Sequence, residues 1–305
     1  MGMSGVYPEA GNEMEGLVRC RYDSLVEWPA RGELRRVRAG DGTCLAVHAV
    51  GGGPPLLLIP GLGTDHHAFV WNVGELSQRF ECLVLDQRGV GLSEVTPGPY
   101  STSLLADDAA FVLRHCAPGG AAVMGVSMGG MVAEQLAIRH PQLVAALVLG
   151  ATGPGGRLAV RAEAEVTRRL LGGDAREPGE AFRVACTALY EADFRAAHPE
   201  VVADAVEWRA RNPVRPGVFL AQWQAILRHD AGPDLGRIRA PTLILHGSSD
   251  RVMPPGNAEV LRDRIPGAEL VWLRGRGHMF FQEDRERTHQ LLFERLLGDS
   301  ATRAL

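Results

Sequence analysis

Ala121-Ala122-Val123-Met124-Gly125-Val126-Ser127-Met128-Gly129-Gly130-Met131 reads as a short apolar strand that runs into a glycine-flanked serine and on into a helix ending at His140. The run Ala121 to Met124 is apolar at every position, as a strand covered on both faces requires, and Pro141 closes the helical spacing of Met128 to His140. Gly125 and Gly129 permit a sharp turn that lifts the Ser127 hydroxyl above a sheet, and the helix start adds a field favouring developing negative charge. In a chain with 37 glycines, G-x-S-x-G arises by chance roughly 0.15 times. The strand–turn–helix context, rather than the five residues, therefore carries the reading.

Outward from this turn the same rhythm repeats. Leu56 to Ile59 and Cys82 to Leu85 are strand-length apolar runs, separated by helical spacing over Phe69 to Phe80. Helical spacing over Ser103 to Cys116 precedes the central strand, and Ala145 to Gly150 follows its helix. Two later strands, Thr242 to Leu245 and Glu269 to Trp272, bracket a helix over Gly256 to Arg264. Arg36 to Arg38 and Cys44 to Val50 flank Ala39-Gly40-Asp41-Gly42 and predict an antiparallel hairpin. Alternation of this length predicts an α/β fold: a mostly parallel central sheet with helices on both faces.

Residues 153–233 break the rhythm with amphipathic helical patterns at Arg157 to Leu171, Glu180 to Tyr190, Val201 to Arg211 and Gly217 to Arg228. They read as a helical cap inserted over the sheet's C-terminal edge, where open parallel sheets bind ligands. The predicted organisation is an N-terminal extension over 1–34, a core split between 35–152 and 234–305, and the cap between its halves.

A serine nucleophile needs a base and an acid that orients it, both at the same sheet edge. The two late strands end in His246-Gly247-Ser248-Ser249-Asp250 and Arg274-Gly275-Arg276-Gly277-His278. Asp250 and His278 thus join Ser127 as the candidate triad. Either residue alone would read as a turn former or a structural histidine; order and placement together change that reading. His246 lies within a strand end, His140 closes a helix and His289 sits on the last helix, so each is the weaker candidate. Met128 N–H, directly after the nucleophile, and Leu62 N–H, in Pro60-Gly61-Leu62-Gly63-Thr64-Asp65, are the candidate oxyanion donors. His66, Trp223, Met253 and Met279 are candidate substrate contacts. Trp208 and Phe219 read first as packing residues.

A formal charge of −4 with interspersed signs and no basic stripe argues against nucleic acid as a partner. The longest apolar runs fall short of a membrane span. Five scattered cysteines, Cys20, Cys44, Cys82, Cys116 and Cys186, lack a C-x-x-C pair and fit a reducing compartment. Met1 to Gly16 does not read as a signal peptide, which makes the expected location cytoplasmic. Gly89-Val90-Gly91 lacks the third glycine of a dinucleotide site, and neither a Walker sequence nor a clustered metal site is present. No cofactor and no metal is expected, and the expected partner is a small-molecule substrate.

The chain resembles the α/β-hydrolase superfamily of capped esterases and lactonases from about Arg35 to about Leu297. The matching segments are Pro60 to Gly63, Asp86-Gln87-Arg88-Gly89-Val90-Gly91-Leu92-Ser93, Gly125 to Gly130, Pro241 to Asp250 and Gly277-His278. Within the superfamily it is most similar to enol-lactone hydrolases and to methylesterase-like tailoring enzymes of aromatic polyketide pathways. Many relatives have His where this chain has Pro60, and the extension lies beyond their usual pattern. The resemblance implies hydrolysis of a carboxylic ester or lactone. The same fold also supports C–C bond hydrolysis, elimination, cofactor-free perhydrolysis, or a non-catalytic ligand receptor.

Overall fold

The computed structural model describes Trp28 and residues 32–298. Eight strands form one sheet: β1 (Glu33–Arg38), β2 (Cys44–Gly51), β3 (Pro55–Ile59), β4 (Glu81–Asp86), β5 (Ala121–Val126), β6 (Val144–Gly150), β7 (Thr242–Gly247) and β8 (Glu269–Leu273). Their order is β1-β2-β4-β3-β5-β6-β7-β8. Strand β2 pairs antiparallel with β1 and β4, and all other pairings are parallel. The mostly parallel sheet predicted from the alternating pattern is therefore the observed one.

Continuous apolar runs in β3, β4 and β5 serve two cores at once, because successive side chains of a strand point to opposite faces. Leu57, Ile59, Leu83, Leu85 and Val123 pack on one face under α2 (Thr102–Cys116), α3 (Met128–Arg139) and α9 (Gly256–Arg264). Leu56, Leu58, Cys82, Val84 and Met124 pack on the other under α1 (Val70–Leu76), α10 (Phe280–Glu283) and α11 (Arg285–Leu297). Full burial of each such side chain contributes about 1.5–3 kcal/mol relative to exposure. Polar substitution at any of these positions would strike one core or the other.

Between β6 and β7 lie α4 (Ala164–Leu170), α5 (Pro178–Leu189), α6 (Ala192–Ala197), α7 (Pro199–Arg211) and α8 (Pro216–Arg228). The two stems of this insertion meet in an isolated antiparallel bridge, Gly155 to Asp230. Val166, Cys186, Leu189, Phe194 and Val206 give it a core of its own.

Several local expectations are corrected. Helix α4 begins at Ala164 rather than near Arg157, because the buried Asn257 side chain binds both backbone groups of Val160, with Nδ2 donating to Val160 O at 2.8 Å and Oδ1 accepting from Val160 N at 2.9 Å. That clasp holds Val160 in a non-helical conformation. Helix α1 spans 70–76 only, since Arg79 and Phe80 N–H both turn back to Leu76 O. Helix α6 was not anticipated. Strand β1 starts at Glu33, inside the segment assigned to the extension, because β2 is long enough to pair Glu33 with Ala49. The remainder of the extension, residues 1–27 and 29–31, and Cys20 lie outside the described residues. Cys44, Cys82, Cys116 and Cys186 are free thiols, and burial pushes those of Cys82 and Cys186 up to about 12. Among the described residues no helix is long and apolar enough to cross a membrane.

His289 ties α11 to α1. Asn72 Nδ2 donates to Phe281 O at 2.6 Å, which orients the amide so that the same nitrogen faces His289 Nε2 at 3.1 Å. The imidazole must therefore be neutral and accepting. Burial, with the Arg285 guanidinium beside it, lowers its pKa to about 4. The unfolded chain takes up the proton nearer 6.5, so this contribution to stability is complete above about pH 6.5 and is lost as pH falls toward about 4, on the order of 3 kcal/mol in all. Urea unfolding at several pH values is expected to show that loss in the wild type. In His289→Gln, which keeps an acceptor without a titrating ring, the decline should be shallower by about that amount; equal slopes would refute it.

Candidate active site

Ser127 stands between β5 and α3 at φ 56° and ψ −123°, a left-handed conformation rare for a residue with a side chain. Two glycines make it possible. A side chain on Gly125 would meet Gly129 O at 2.1 Å, and one on Gly129 would meet Ile59 O at 2.1 Å. The turn is tied down by Ser127 N–H to Gly150 O at 2.9 Å, and by Thr152 Oγ1, which donates to Ser127 O at 2.8 Å. Neighbouring strands thus hold the serine at the C-terminal edge of the sheet.

His278 and Asp250 emerge at that edge from the loops after β8 and β7. His278 Nδ1 donates to Asp250 Oδ2 at 2.8 Å, and both residues are buried. Asp250 Oδ1 accepts from Val252 and Met253 N–H, each at 2.9 Å. One carboxylate oxygen is thereby anchored to the backbone while the other holds the imidazole. Gly277 N–H donates to Glu283 Oε2 at 2.7 Å, and Glu283 Oε1 accepts from Glu191 N–H at 2.7 Å, so the insertion braces the histidine loop. His246 Nε2 donates to Met253 O at 2.7 Å and supports the acid loop from behind.

The loop after β3 closes over the serine. A side chain on Gly61 would lie 3.3 Å from Ser127 Cβ, which places Leu62 beside Ser127. Met128 opens α3, so its N–H has no intrahelical partner, and Leu62 N–H donates to no backbone carbonyl among the described residues. With Pro60 at the loop's start, three other groups fix its shape. Gln87 Nε2 donates to Pro60 O at 2.8 Å, Thr64 Oγ1 donates to Gly61 O at 3.0 Å, and the buried Gln222 of α8 accepts from Gly63 N–H at 2.7 Å.

Ser127, Met128, Leu62 and His278 share the wall of one cavity of about 360 Å³ between the sheet edge and the insertion. Trp223, Met253, Met279 and Phe219 line it as well. His66 does not. Its Nδ1 and backbone N–H both donate to Asp86 Oδ1, at 3.0 and 2.8 Å, and its ring stacks on His48 at 3.6 Å between centroids. The carboxylate thus turns His66 away from the cavity and into the protein. Asp86 Oδ2 accepts from His48 Nε2 at 3.0 Å and from Leu92 N–H at 2.8 Å. Burial opposes charge on Asp86, yet the neighbouring His66 and these bonds hold it below the usual carboxylate range. His48, His66 and Asp86 bring three potential metal ligands within 4.8 Å of one another, but both ring nitrogens already point at the one carboxylate. The cluster is a hydrogen-bond hub, and Trp28 packs edge-on against both rings. In the same turn Arg88 clasps Asp108 with two bonds of 2.6 Å, so Asp86 to Ser93 is tied down as a structural turn.

Residues that the pattern did not single out also shape the site. Gln222, Arg209 and His229 lie on helical faces or at a helix end, with no local signal beyond a polar residue in an apolar stretch. His229 touches the cavity while its Nε2 stands 3.1 Å from Glu134 Oε2 and its Nδ1 2.9 Å from Thr102 Oγ1.

This architecture has known counterparts. The putative carbamate hydrolase RutD of Stutzerimonas stutzeri (strain A1501) is 30% identical over 248 residues, covering 80% of this chain and 91% of that one. A thermophilic esterase from Thermogutta terrifontis, solved with malate bound, matches with a TM-score of 0.74 at 27% identity over 87% of this chain and 98% of its own. The enol-lactonase from Burkholderia xenovorans LB400 matches with a TM-score of 0.75 over 86% and 100%, at 24% identity, a likeness of fold alone. The profile of the α/β hydrolase fold matches residues 54–284, from the loop before β3 to beyond His278. The chain belongs to the α/β-hydrolase fold family.

Proposed function

We propose that the protein is a serine hydrolase that cleaves a carboxylic ester or lactone of a small molecule, with Ser127 as nucleophile, His278 as base and Asp250 as the group that orients it. The observation that carries this reading is the His278–Asp250 bond of 2.8 Å at the sheet edge where Ser127 stands, both Ser127 and His278 opening onto one cavity. Bonding Nδ1–H to Asp250 leaves Nε2 as the basic nitrogen. As Ser127 Oγ attacks the carbonyl carbon, His278 takes the hydroxyl proton, and Met128 and Leu62 N–H receive the oxyanion. His278 returns the proton to the departing oxygen, then activates water to cleave the acyl-enzyme. None of these steps calls on a metal or cofactor. Similarity to an esterase and to a putative carbamate hydrolase supports acyl transfer as the chemistry. The insertion, which supplies Trp223 and Phe219 to the wall, is the part that selects the substrate.

An organophosphonate small enough for the cavity should label Ser127 stoichiometrically, as read by mass spectrometry. Ser127→Ala is expected to lower hydrolytic kcat by roughly 10⁴- to 10⁶-fold while ligand affinity changes little. Turnover by the variant within tenfold of wild type, with no acyl adduct on Ser127 of trapped wild-type enzyme, would overturn the mechanism and favour elimination through His278.

Gln222→Leu tests the loop support. Losing the acceptor leaves Gly63 N–H buried and unpaired, at a cost of about 1–3 kcal/mol, and loosens the Leu62 donor. We expect kcat for a panel of aryl esters to fall about tenfold or more with KM less affected, whereas an unchanged kcat would show that Gln222 does not hold the loop.

A further inference from the structure

Arg209 of α7 lines the same cavity as Ser127 and His278. Its guanidinium lies over the Phe182 ring, 5.0 Å from the centroid, and a side chain on Gly63 would come within 3.5 Å of its Nη1. The loop Gly61 to Gly63 therefore touches the nucleophile at one end and approaches Arg209 at the other. Three residues span no more than about 7 Å between their outer Cα atoms, which is the scale of a short acyl chain.

Among the described residues Arg209 makes no hydrogen bond or ion pair with the protein; its one specific contact is the Phe182 ring. The acid that acts on it is Asp65. That carboxylate is engaged elsewhere, since both its oxygens accept from Trp208 Nε1, at 3.0 and 3.1 Å, and Oδ1 also accepts from His67 N–H. Among the described residues no aspartate or glutamate lines the cavity, whereas a second arginine, the exposed Arg161, does. Arg88 provides the contrast. It is buried where Arg209 is half-buried, and it clasps Asp108 and Asp41, which raise its pKa, whereas desolvation presses that of Arg209 down. A partly buried cation whose charged neighbour, Asp65, makes no ion pair with it gains from a ligand that supplies a directly bonded counter-charge.

We propose that the substrate carries a carboxylate that pairs with Arg209 while its ester or lactone carbonyl lies against Ser127, an inference that rests on the hydrolase reading above. The planar guanidinium fork matches the two oxygens of a carboxylate. Arg161 at the rim adds attraction for an incoming anion. Anchored at both ends, the chain between the groups is held in register with the oxyanion donors, which converts binding into orientation.

The test uses para-nitrophenyl monoesters of succinate, glutarate and adipate beside the matched neutral butyrate, valerate and hexanoate, corrected for spontaneous hydrolysis. For at least one pair, wild-type kcat/KM is expected to favour the charged ester by about tenfold or more. Arg209→Met, which keeps an unbranched apolar stem, should reduce that charged-to-neutral ratio at least about tenfold, with Arg209→Lys retaining part of the preference. A second arm needs no turnover and no variant: the free diacid anions should raise wild-type Tm in a salt-sensitive manner, and the corresponding diamides should not. Hydrolysis of the neutral esters without a charged preference, together with no effect of the diacids on Tm, overturns the anion site and leaves the hydrolase reading intact. Stabilisation by diacids with no turnover of any ester supports the anion site and overturns the hydrolase reading instead.

Discussion

The strained backbone of Ser127 is the constraint on which the rest of the site depends. A non-glycine residue held at φ 56° costs of order 1–3 kcal/mol and persists only where its surroundings over-determine it. Here the surroundings are β3, β5 and β6 together. Gly129 has no room for a side chain against Ile59 O, Gly150 O accepts the Ser127 N–H, and Thr152 holds the Ser127 carbonyl. Because the strands are parallel, their C-terminal ends bring the Gly61 to Gly63 loop, Ser127, Asp250 and His278 to one edge. Any slip in the pairing of β3, β5 and β6 would displace the serine and its donors relative to each other.

The helical insertion completes the cavity, and it is fastened to the core by buried polar groups rather than by apolar contact alone. Gln222 accepts from Gly63, Trp208 donates to Asp65, Glu283 receives the Glu191 amide, Asn257 clasps Val160, and His229 sits against Glu134 and Thr102. Apolar packing tolerates sliding, whereas a buried hydrogen bond fails within a few tenths of an ångström. These pairs set the position of the insertion to the precision that a reacting carbonyl requires. Stability itself comes from the two apolar layers on the sheet, since buried polar pairs recover little beyond their own desolvation.

Charge in the interior is divided between two places. Around Asp86 it is met within the protein: the His66 and His48 rings both face the carboxylate, which favours the charged form of His66, and the chain between β4 and α2 is locked by the same carboxylate. In the cavity Arg209 makes no ion pair among the described residues and stands in a mostly apolar wall. The first arrangement stabilises a turn; the second leaves a charge for a ligand to meet.

Strand and helix order, the serine turn and the chain order Ser127, Asp250, His278 were legible in the sequence, because each follows from local periodicity and turn chemistry within a few residues. The same local signals misread residues 157–163 as helical, since only tertiary contact brings Asn257 to Val160. They also placed His66 near the substrate on its proximity to the oxyanion loop, whereas the hydrogen bonds to Asp86, twenty residues on, draw its ring away from the cavity. Arg209 and Gln222 carried no local mark, being ordinary polar residues on amphipathic helices. Periodicity tells which face of a helix is buried, but not what that face is buried against. That choice was made by the packing of the insertion on the sheet edge, where long-range hydrogen bonds and the shape of the cavity decide which polar groups find partners and which are left facing the space a substrate would fill.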